Sequence, residues 1–188
     1  MSHLLSRRDF SLRLAAALPG LGVVGTASSP HPGAMRTGWQ QGDGISHNND
    51  AIHQEVTFKA TRARVYAALT RTAEFDKVVR LSAAMKGGIP ADAPPTAISG
   101  VAGGTFTLFG GYVTGRQIEL VPDQRIVQAW RAGSWKAGAY SIARFELADE
   151  GMGCRLEFDH TGFPAGEAGH LATGWHVNYW TPLANSLA

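Results

Sequence analysis

The second half of the chain alternates short β-prone segments with turn residues, and this pattern constrains the fold more than any other feature. Residues 105–109, 112–121, 125–131, 139–148 and 153–161 each read as a strand. The pairs Gly110-Gly111, Pro122-Asp123 and Glu150-Gly151 supply turn residues between them. Because such turns join neighbouring strands, the pattern predicts a sheet whose consecutive strands pair antiparallel.

A long amphipathic helix is predicted after the last strand, over residues 166–187. Its apolar stripe repeats every four residues and consists of Leu171, Trp175, Tyr179, Leu183 and Leu187. A helix of this length can lie across the whole sheet. We expect Pro182 to kink it near its end, because proline lacks the N–H that a helix interior requires.

One strand and two short helices are predicted before the sheet segments. Residues 52–59 read as the strand, and Thr61 is a candidate N-cap for a helix over residues 63–69. Thr72 is a candidate cap for a second helix, whose apolar face is formed by Phe75, Val78 and Val79.

These elements predict an α+β domain over residues 51–188. Its architecture is a helix-grip, in which a curved antiparallel sheet wraps around a long C-terminal helix and two short helices follow the first strand. Residues 85–104 are rich in glycine, proline and alanine and show no periodicity. Connections of this length are often lids or binding loops, so we expect this segment to serve a site.

The first 50 residues differ in composition from the rest. Ser6-Arg7-Arg8-Asp9-Phe10 precedes a mostly apolar run from Leu12 to Val24, which is too short for a membrane-spanning helix. The S-R-R-x-F pattern resembles a twin-arginine export signal. We therefore predict a signal peptide over residues 1–27 and a flexible linker over residues 28–50. Use of this signal implies a periplasmic or secreted protein without stable membrane insertion, and otherwise a cytoplasmic one.

Charge and cysteine content narrow the class of partner. The chain has 17 basic and 15 acidic side chains, and removing Arg7, Arg8, Arg13 and Asp9 leaves 14 of each sign. The domain thus has no basic excess to neutralise phosphates, so we expect no nucleic-acid partner. Cys154 is the only cysteine and lies in a predicted strand, where we interpret it as a small buried hydrophobe rather than a reactive thiol.

Several phrases resemble the START-like, or SRPBCC, superfamily, and within it the family of the activator of heat shock protein 90 ATPase. They are Val65-Tyr66-Ala67-Ala68-Leu69-Thr70, Gly103-Gly104-Thr105-Phe106, Gly115, Glu119-Leu120-Val121-Pro122, Ile126-Val127-Gln128-Ala129-Trp130-Arg131, Ser134-Trp135, Gly162-Phe163-Pro164 and Gly174-Trp175. Their order and spacing extend the resemblance from about Val56 to the end of the chain.

The resemblance implies the helix-grip fold and an apolar cavity, but it does not fix one activity. Functions in the family range from co-chaperone to small-ligand binding. Co-chaperone members usually carry this domain behind a separate N-terminal domain and act on a cytosolic chaperone. A chaperone partner is therefore expected only if this protein stays in the cytoplasm.

His160 is the most ambiguous polar residue. Cys154, Leu156 and Phe158 share one face of the strand over residues 153–161, and His160 falls on the same inner face. There it could contact a ligand, act as a general acid or base, or complete the core through a backbone hydrogen bond. Asp159 cannot orient it through sequence adjacency, because neighbours on a strand point to opposite faces.

The remaining histidines do not predict a metal centre. Glu167 and His170 form an E-x-x-H spacing on one helix face, which is half of a di-iron motif. His170 and His176 lie about 240° apart around a helix and do not converge on one ion. We therefore expect no metal and no cofactor, and the sequence names no catalytic residue.

Aromatic residues are abundant for a chain of this length, and they suit either a core or the wall of a cavity. The predicted cavity residues are Phe106, Leu108, Trp130, Leu156, Phe158, His160, Leu171, Trp175 and Tyr179. The leading hypothesis is an exported, non-catalytic protein that binds a small hydrophobic or aromatic ligand and interacts with the twin-arginine export machinery during its translocation. A co-chaperone-like module and a cyclase-like enzyme that uses cavity residues are the alternatives.

Overall fold

The computed structural model describes residues 50–188, which form a seven-stranded antiparallel sheet with helices against its inner face. The strands are β1 Ala51–Phe58, β2 Ala97–Ile98, β3 Thr105–Leu108, β4 Val113–Val121, β5 Arg125–Ala132, β6 Ser141–Glu150 and β7 Gly153–Thr161. Their order in the sheet is β1-β7-β6-β5-β4-β3-β2, so the first strand pairs with the last. The predicted signal peptide and nearly all of the predicted linker lie outside the described residues.

The helices fall into two groups. After β1 come α1 Arg62–Thr70, α2 Thr72–Leu81 and α3 Ala83–Lys86; after β7 come α4 Ala168–Trp175, a π-helical turn His176–Trp180 and α5 Thr181–Leu187. The last three are continuous and make one C-terminal helix over residues 168–187. The predicted α+β helix-grip class is therefore confirmed. No helix within residues 50–188 combines the length and apolar character needed to span a membrane.

Strict alternation of burial defines the inner face of the sheet. In β7 the side chains of Cys154, Leu156, Phe158 and His160 are fully buried, and their neighbours along the strand are partly exposed. β5 alternates in the same way, with Trp130 on the inner face. Since successive strand residues point to opposite sides, the inner face of each strand packs against the helices while the charged residues face solvent.

The connection after the first helices contains structure that the sequence did not predict. α3 and β2 both fall here, and Thr72 does not cap α2 as expected, because Arg71 occupies the cap position. The Thr72 hydroxyl instead accepts a hydrogen bond from the Ile98 N–H at 2.9 Å and lies 3.3 Å from the Ile98 carbonyl. Thr72 thus ties α2 to β2. Thr61 does occupy the cap position of α1, but its side chain makes no capping bond.

The π-helical turn keeps the apolar stripe of the C-terminal helix on one face. Residues four apart advance about 40° around an α-helix, so a stripe repeating every four would drift away from the core over several repeats. In the π turn the Thr181 N–H bonds to the carbonyl of His176, five residues earlier, and the extra residue offsets this drift. Pro182, which lacks an N–H, follows immediately. Tyr179, Trp180 and Leu183 are all buried as a result.

Candidate functional site

A pocket of about 850 Å³ opens between the C-terminal helix and one end of the sheet. Four segments contribute to it: the helix, the end of β5, the turn before β4, and the segment around α3. The lining residues are Ala84, Gly88, Ile89, Pro90, Phe109, Gly110, Gly111, Tyr112, Val113, Trp130, Ala132, Gly133, Ser134, Glu167, His170, Leu171, Gly174, Trp175, Asn178 and Tyr179.

Aromatic rings form the inner wall of the pocket. The Tyr179 ring centroid lies 4.1 Å from that of Trp175 and 5.3 Å from that of Phe109, and Trp130 lies 5.7 Å from Trp175. All four side chains are nearly inaccessible to solvent. Rings at these separations pack against one another in tilted and edge-on contacts, which give the wall a defined shape.

A tight turn brings the long connection onto the rim. Phe109–Gly111 form a 3₁₀ turn, and Gly110 and Gly111 have positive φ angles of 65° and 85°. A Cβ at Gly110 would lie only 2.6 Å from Cγ2 of Ile89. The connection therefore packs directly on a glycine surface, where Gly88, Ile89 and Pro90 cover the pocket. Of the segment 85–104, which was predicted to be a lid or binding loop, residues 88–90 thus line the pocket.

Polar groups lie mainly at the mouth of the pocket. Glu167 and His170 stand near the start of α4, and the exposed Tyr112 hydroxyl lies 3.3 Å from Oγ of Ser134. Deeper in, Oδ1 of Asn178 accepts a hydrogen bond from the Ala84 N–H at 2.8 Å and so joins the helix to α3. The mouth can thus offer hydrogen bonds and one carboxyl group.

The Tyr179 hydroxyl is the polar group buried in the aromatic wall. It lies 3.5 Å from Nε1 of Trp130, which is long for a hydrogen bond, and in this contact it can only accept. Burial raises the pKa of Tyr179, so the phenol keeps its proton. Among the described residues no acceptor for that proton is found.

His160 lies beneath the wall and is fixed by a chain of hydrogen bonds. Nε1–H of Trp175 donates to Nδ1 of His160 at 3.1 Å, so the histidine proton must lie on Nε2. Nε2–H then donates to Oγ of Ser141 at 2.7 Å, and Ser141 donates to the Trp130 carbonyl at 3.0 Å. Burial lowers the pKa of His160 to about 3. This geometry fits a neutral histidine of the core better than an acid or base.

The predicted cavity residues fall into two groups in the structure. Trp130, Leu171, Trp175 and Tyr179 line the pocket. The others are buried but lie outside its lining, and they are Phe106, Leu108, Leu156, Phe158 and His160. Alternation along a strand identifies the inner face, but this face continues past the pocket into the core beneath the helix.

Sequence reasoning missed the residues that come from loops and turns. Phe109 and Tyr112, which were predicted at the ends of two strands, lie in and next to the 3₁₀ turn before β4, and they line the pocket together with Ile89 and Pro90. The only available signal was the long connection that contains Ile89 and Pro90. Gly174, part of the Gly174-Trp175 motif that resembles the family, also lines the pocket, and a Cβ there would face open space.

The structure also places two other groups that the sequence singled out, the Glu167–His170 pair and Cys154. Glu167 and His170 both reach the pocket mouth, but within residues 50–188 no three metal-ligating side chains are close enough to hold an ion. Cys154 is fully buried, and burial raises the pKa of its thiol to about 11. A thiol with so high a pKa is a poor nucleophile.

Comparison with known proteins shows which protein family this domain matches. The family model described as activator of Hsp90 ATPase homolog 1-like protein matches residues 59–188. The mouse activator of 90 kDa heat shock protein ATPase homolog 1 is 31% identical over 86 residues, which cover 46% of this chain but only 25% of the mouse protein.

Solved structures show the same fold at low sequence identity. An HSP90 activator from Plasmodium falciparum superimposes with a TM-score of 0.59 at 20% identity, covering 69% of this chain and 89% of that one. DynU16, from the dynemicin biosynthetic locus, gives a TM-score of 0.56 at 18% identity, covering 74% of this chain and 47% of that one. With its helix-grip fold and the match over residues 59–188, the chain belongs to the family of activator of Hsp90 ATPase homolog 1-like proteins.

Proposed function

We propose that this protein binds a small hydrophobic or aromatic molecule in the pocket beside the C-terminal helix, without transforming it. The observation that carries the proposal is a pocket of about 850 Å³ whose lining includes the packed rings of Phe109, Trp130, Trp175 and Tyr179. Ligand pockets commonly enclose roughly 300 to 1,000 Å³ and are mostly apolar with a few polar groups. The volume of this pocket and its mostly apolar lining with a few polar groups both agree with that description.

The packing of the domain supports binding over core formation at this place. Below the helix, Phe158 packs 4.3 Å from Trp175 and 5.1 Å from Trp180, centroid to centroid, and leaves no such space. On the pocket side Trp175 and Tyr179 keep only 2% and 5% of their surface accessible, and exposed rim residues such as Tyr112 supply accessible surface. A ligand would therefore contact the rim together with the edge of the aromatic wall.

The proposal is tested by filling the pocket from the helix. Gly174 lines the pocket, and a side chain there would meet nothing within 4 Å. Gly174→Leu should therefore occupy the void and exclude the ligand, while replacing glycine in a helix should stabilise the fold by up to about 1 kcal/mol. Native mass spectrometry of protein purified from its source should find a bound molecule in wild type and none in this variant.

Gly169→Leu is the matched control. Gly169 lies in the same helix, also faces open space, and is exposed outside the pocket. The control should keep the bound molecule and gain similar stability. Equal occupancy in wild type and Gly174→Leu, with both folded, would refute binding at this pocket.

We also propose that the protein is exported through the twin-arginine pathway to the periplasm or beyond. Support comes from the S-R-R-x-F sequence at residues 6–10 and the short apolar run behind it. Replacing Arg7 and Arg8 together by lysine should leave the uncut precursor in the cytoplasm. Arg36→Lys, which keeps the twin arginines, should export normally. Cytoplasmic, uncut wild-type protein in a host with a working pathway would contradict this proposal.

A co-chaperone role is the second candidate, and the match to the mouse activator favours it. That match spans a quarter of the mouse protein, so the activating role is proposed for the matching domain only. Adding the purified chain to Hsp90 should then raise its ATPase rate in proportion to the amount bound. A chain that neither binds Hsp90 nor changes its ATPase rate would eliminate this function and leave the ligand proposal standing.

A further inference from the structure

The pocket lining carries very few charged side chains. Within residues 50–188 its lining contains no lysine and no arginine, and its only carboxylic acid is Glu167 at the mouth. An anionic group placed inside the pocket, away from the mouth where His170 lies, would have to leave water without meeting a lysine or an arginine. Burying an unpaired charge is costly, so the pocket should disfavour carboxylates, sulfonates and phosphates.

The deep end of the pocket also carries an unused hydrogen-bond donor. Tyr179 is 5% exposed and lines the pocket, and its hydroxyl proton has no acceptor among the described residues. Buried tyrosine hydroxyls normally find a partner, and the neighbouring Trp130 N–H cannot serve as an acceptor. A ligand oxygen placed against Tyr179 would satisfy this donor.

From these two observations we infer the ligand class: an uncharged aromatic molecule with a carbonyl, ether or similar acceptor oxygen, which receives a hydrogen bond from Tyr179. The aromatic wall would contact its ring system, and the open mouth at Glu167 and His170 would leave further polar substituents in water. The inference rests on the proposed function and specifies its ligand.

Charge selection is tested with two dyes that differ only in an anionic group. N-Phenylnaphthylamine is neutral, and anilinonaphthalene sulfonate is the same ring system with a sulfonate. Fluorescence titration of the full chain should give a dissociation constant at least tenfold lower for the neutral dye. Glu167→Lys should reduce this difference between the two dissociation constants, because it supplies a cation at the mouth of the pocket. Glu150→Lys, at the exposed end of β6, makes the same change of charge outside the pocket and should leave the difference in dye affinity unchanged.

The donor is tested with a dimethylaminonaphthyl ethyl ketone dye, which is neutral and carries a carbonyl acceptor. Tyr179→Phe keeps the ring and removes the hydroxyl, so affinity for the ketone dye should fall about tenfold while affinity for N-phenylnaphthylamine stays within twofold. Tyr140→Phe removes an exposed hydroxyl away from the pocket and should change neither dye. Thermal unfolding confirms that each variant is folded.

The outcomes separate this inference from the proposed function. If neither neutral dye binds wild type, or if both bind Gly174→Leu as well as wild type, the pocket proposal itself fails. If the neutral dyes bind and Gly174→Leu abolishes their binding, yet the sulfonate binds equally well or Tyr179→Phe affects both neutral dyes alike, the pocket stands and the ligand class is wrong.

Discussion

Replacing His160 by phenylalanine tests the hydrogen-bond chain beneath the pocket. The ring volume is largely kept, so no cavity forms, but two polar contacts are lost. Nε1–H of Trp175 loses its acceptor at 3.1 Å, and Ser141 loses its donor at 2.7 Å. Ser141 retains its own bond to the Trp130 carbonyl at 3.0 Å, so its hydroxyl is not left unpaired.

The size of the effect follows from these contacts. A buried N–H without an acceptor costs about 1 to 3 kcal/mol, and the lost bond to Ser141 adds about 1 kcal/mol. We therefore expect His160→Phe to lower the free energy of unfolding by about 2 to 4 kcal/mol. For a domain of this size that corresponds to a melting temperature about 6 to 12 °C lower. Affinity for a neutral dye should stay within twofold, because His160 does not line the pocket.

Urea denaturation followed by far-ultraviolet circular dichroism measures this change. His176→Phe is the control, since His176 is exposed in the same C-terminal helix that carries Trp175. Its free energy of unfolding should change by less than about 0.5 kcal/mol. A loss below about 1 kcal/mol in His160→Phe, or a hundredfold loss of dye affinity at unchanged stability, would refute the assignment of His160 to the core.

Three further predictions follow from the described residues. Because burial lowers the pKa of His160 from 6.5 to about 3, the unfolded chain takes up the histidine proton at a higher pH than the folded protein does. The free energy of unfolding should therefore fall between pH 6.5 and pH 3, by about 1.4 kcal/mol per pH unit more in wild type than in His160→Phe. Urea denaturation at several pH values measures this difference. Gly110→Val should weaken neutral-dye binding and expose the 85–104 segment to limited proteolysis, since its Cβ would meet Ile89; Gly151→Val also has a positive φ but meets nothing within 4 Å, and should affect neither measurement. The Cys154 thiol, with its pKa raised to about 11 by burial, should react with a thiol reagent only after unfolding, and rapid labelling of native protein would contradict this.

The sequence by itself determined the order and type of nearly all the elements. Alternation with period two marks β5, β6 and β7 because one side of each strand must meet the core while the other meets water. The stripe from Leu171 to Leu187 marks the C-terminal helix for the same reason, with a helical period. These rules are local, so each element follows them regardless of which other element packs against it.

The tertiary structure alone decided where core ends and pocket begins. Phe158 and Trp130 both occupy inner positions on their strands and both are buried, yet Phe158 packs under Trp180 in the core while Trp130 belongs to the lining of the pocket. That difference depends on how the C-terminal helix crosses the sheet and on how the 85–104 segment packs on Gly110. Neither contact leaves a periodic signal in the chain.

For His160, the sequence predicts one property and the tertiary structure decides another. Its place on the inner face of β7 follows from alternation along the strand, which the sequence displays. Its protonation state depends on Trp175 from the C-terminal helix and Ser141 from β6, side chains 15 and 19 residues away along the chain. Hydrogen bonds of this kind need atoms within about 3 Å, and only the folded chain brings them together.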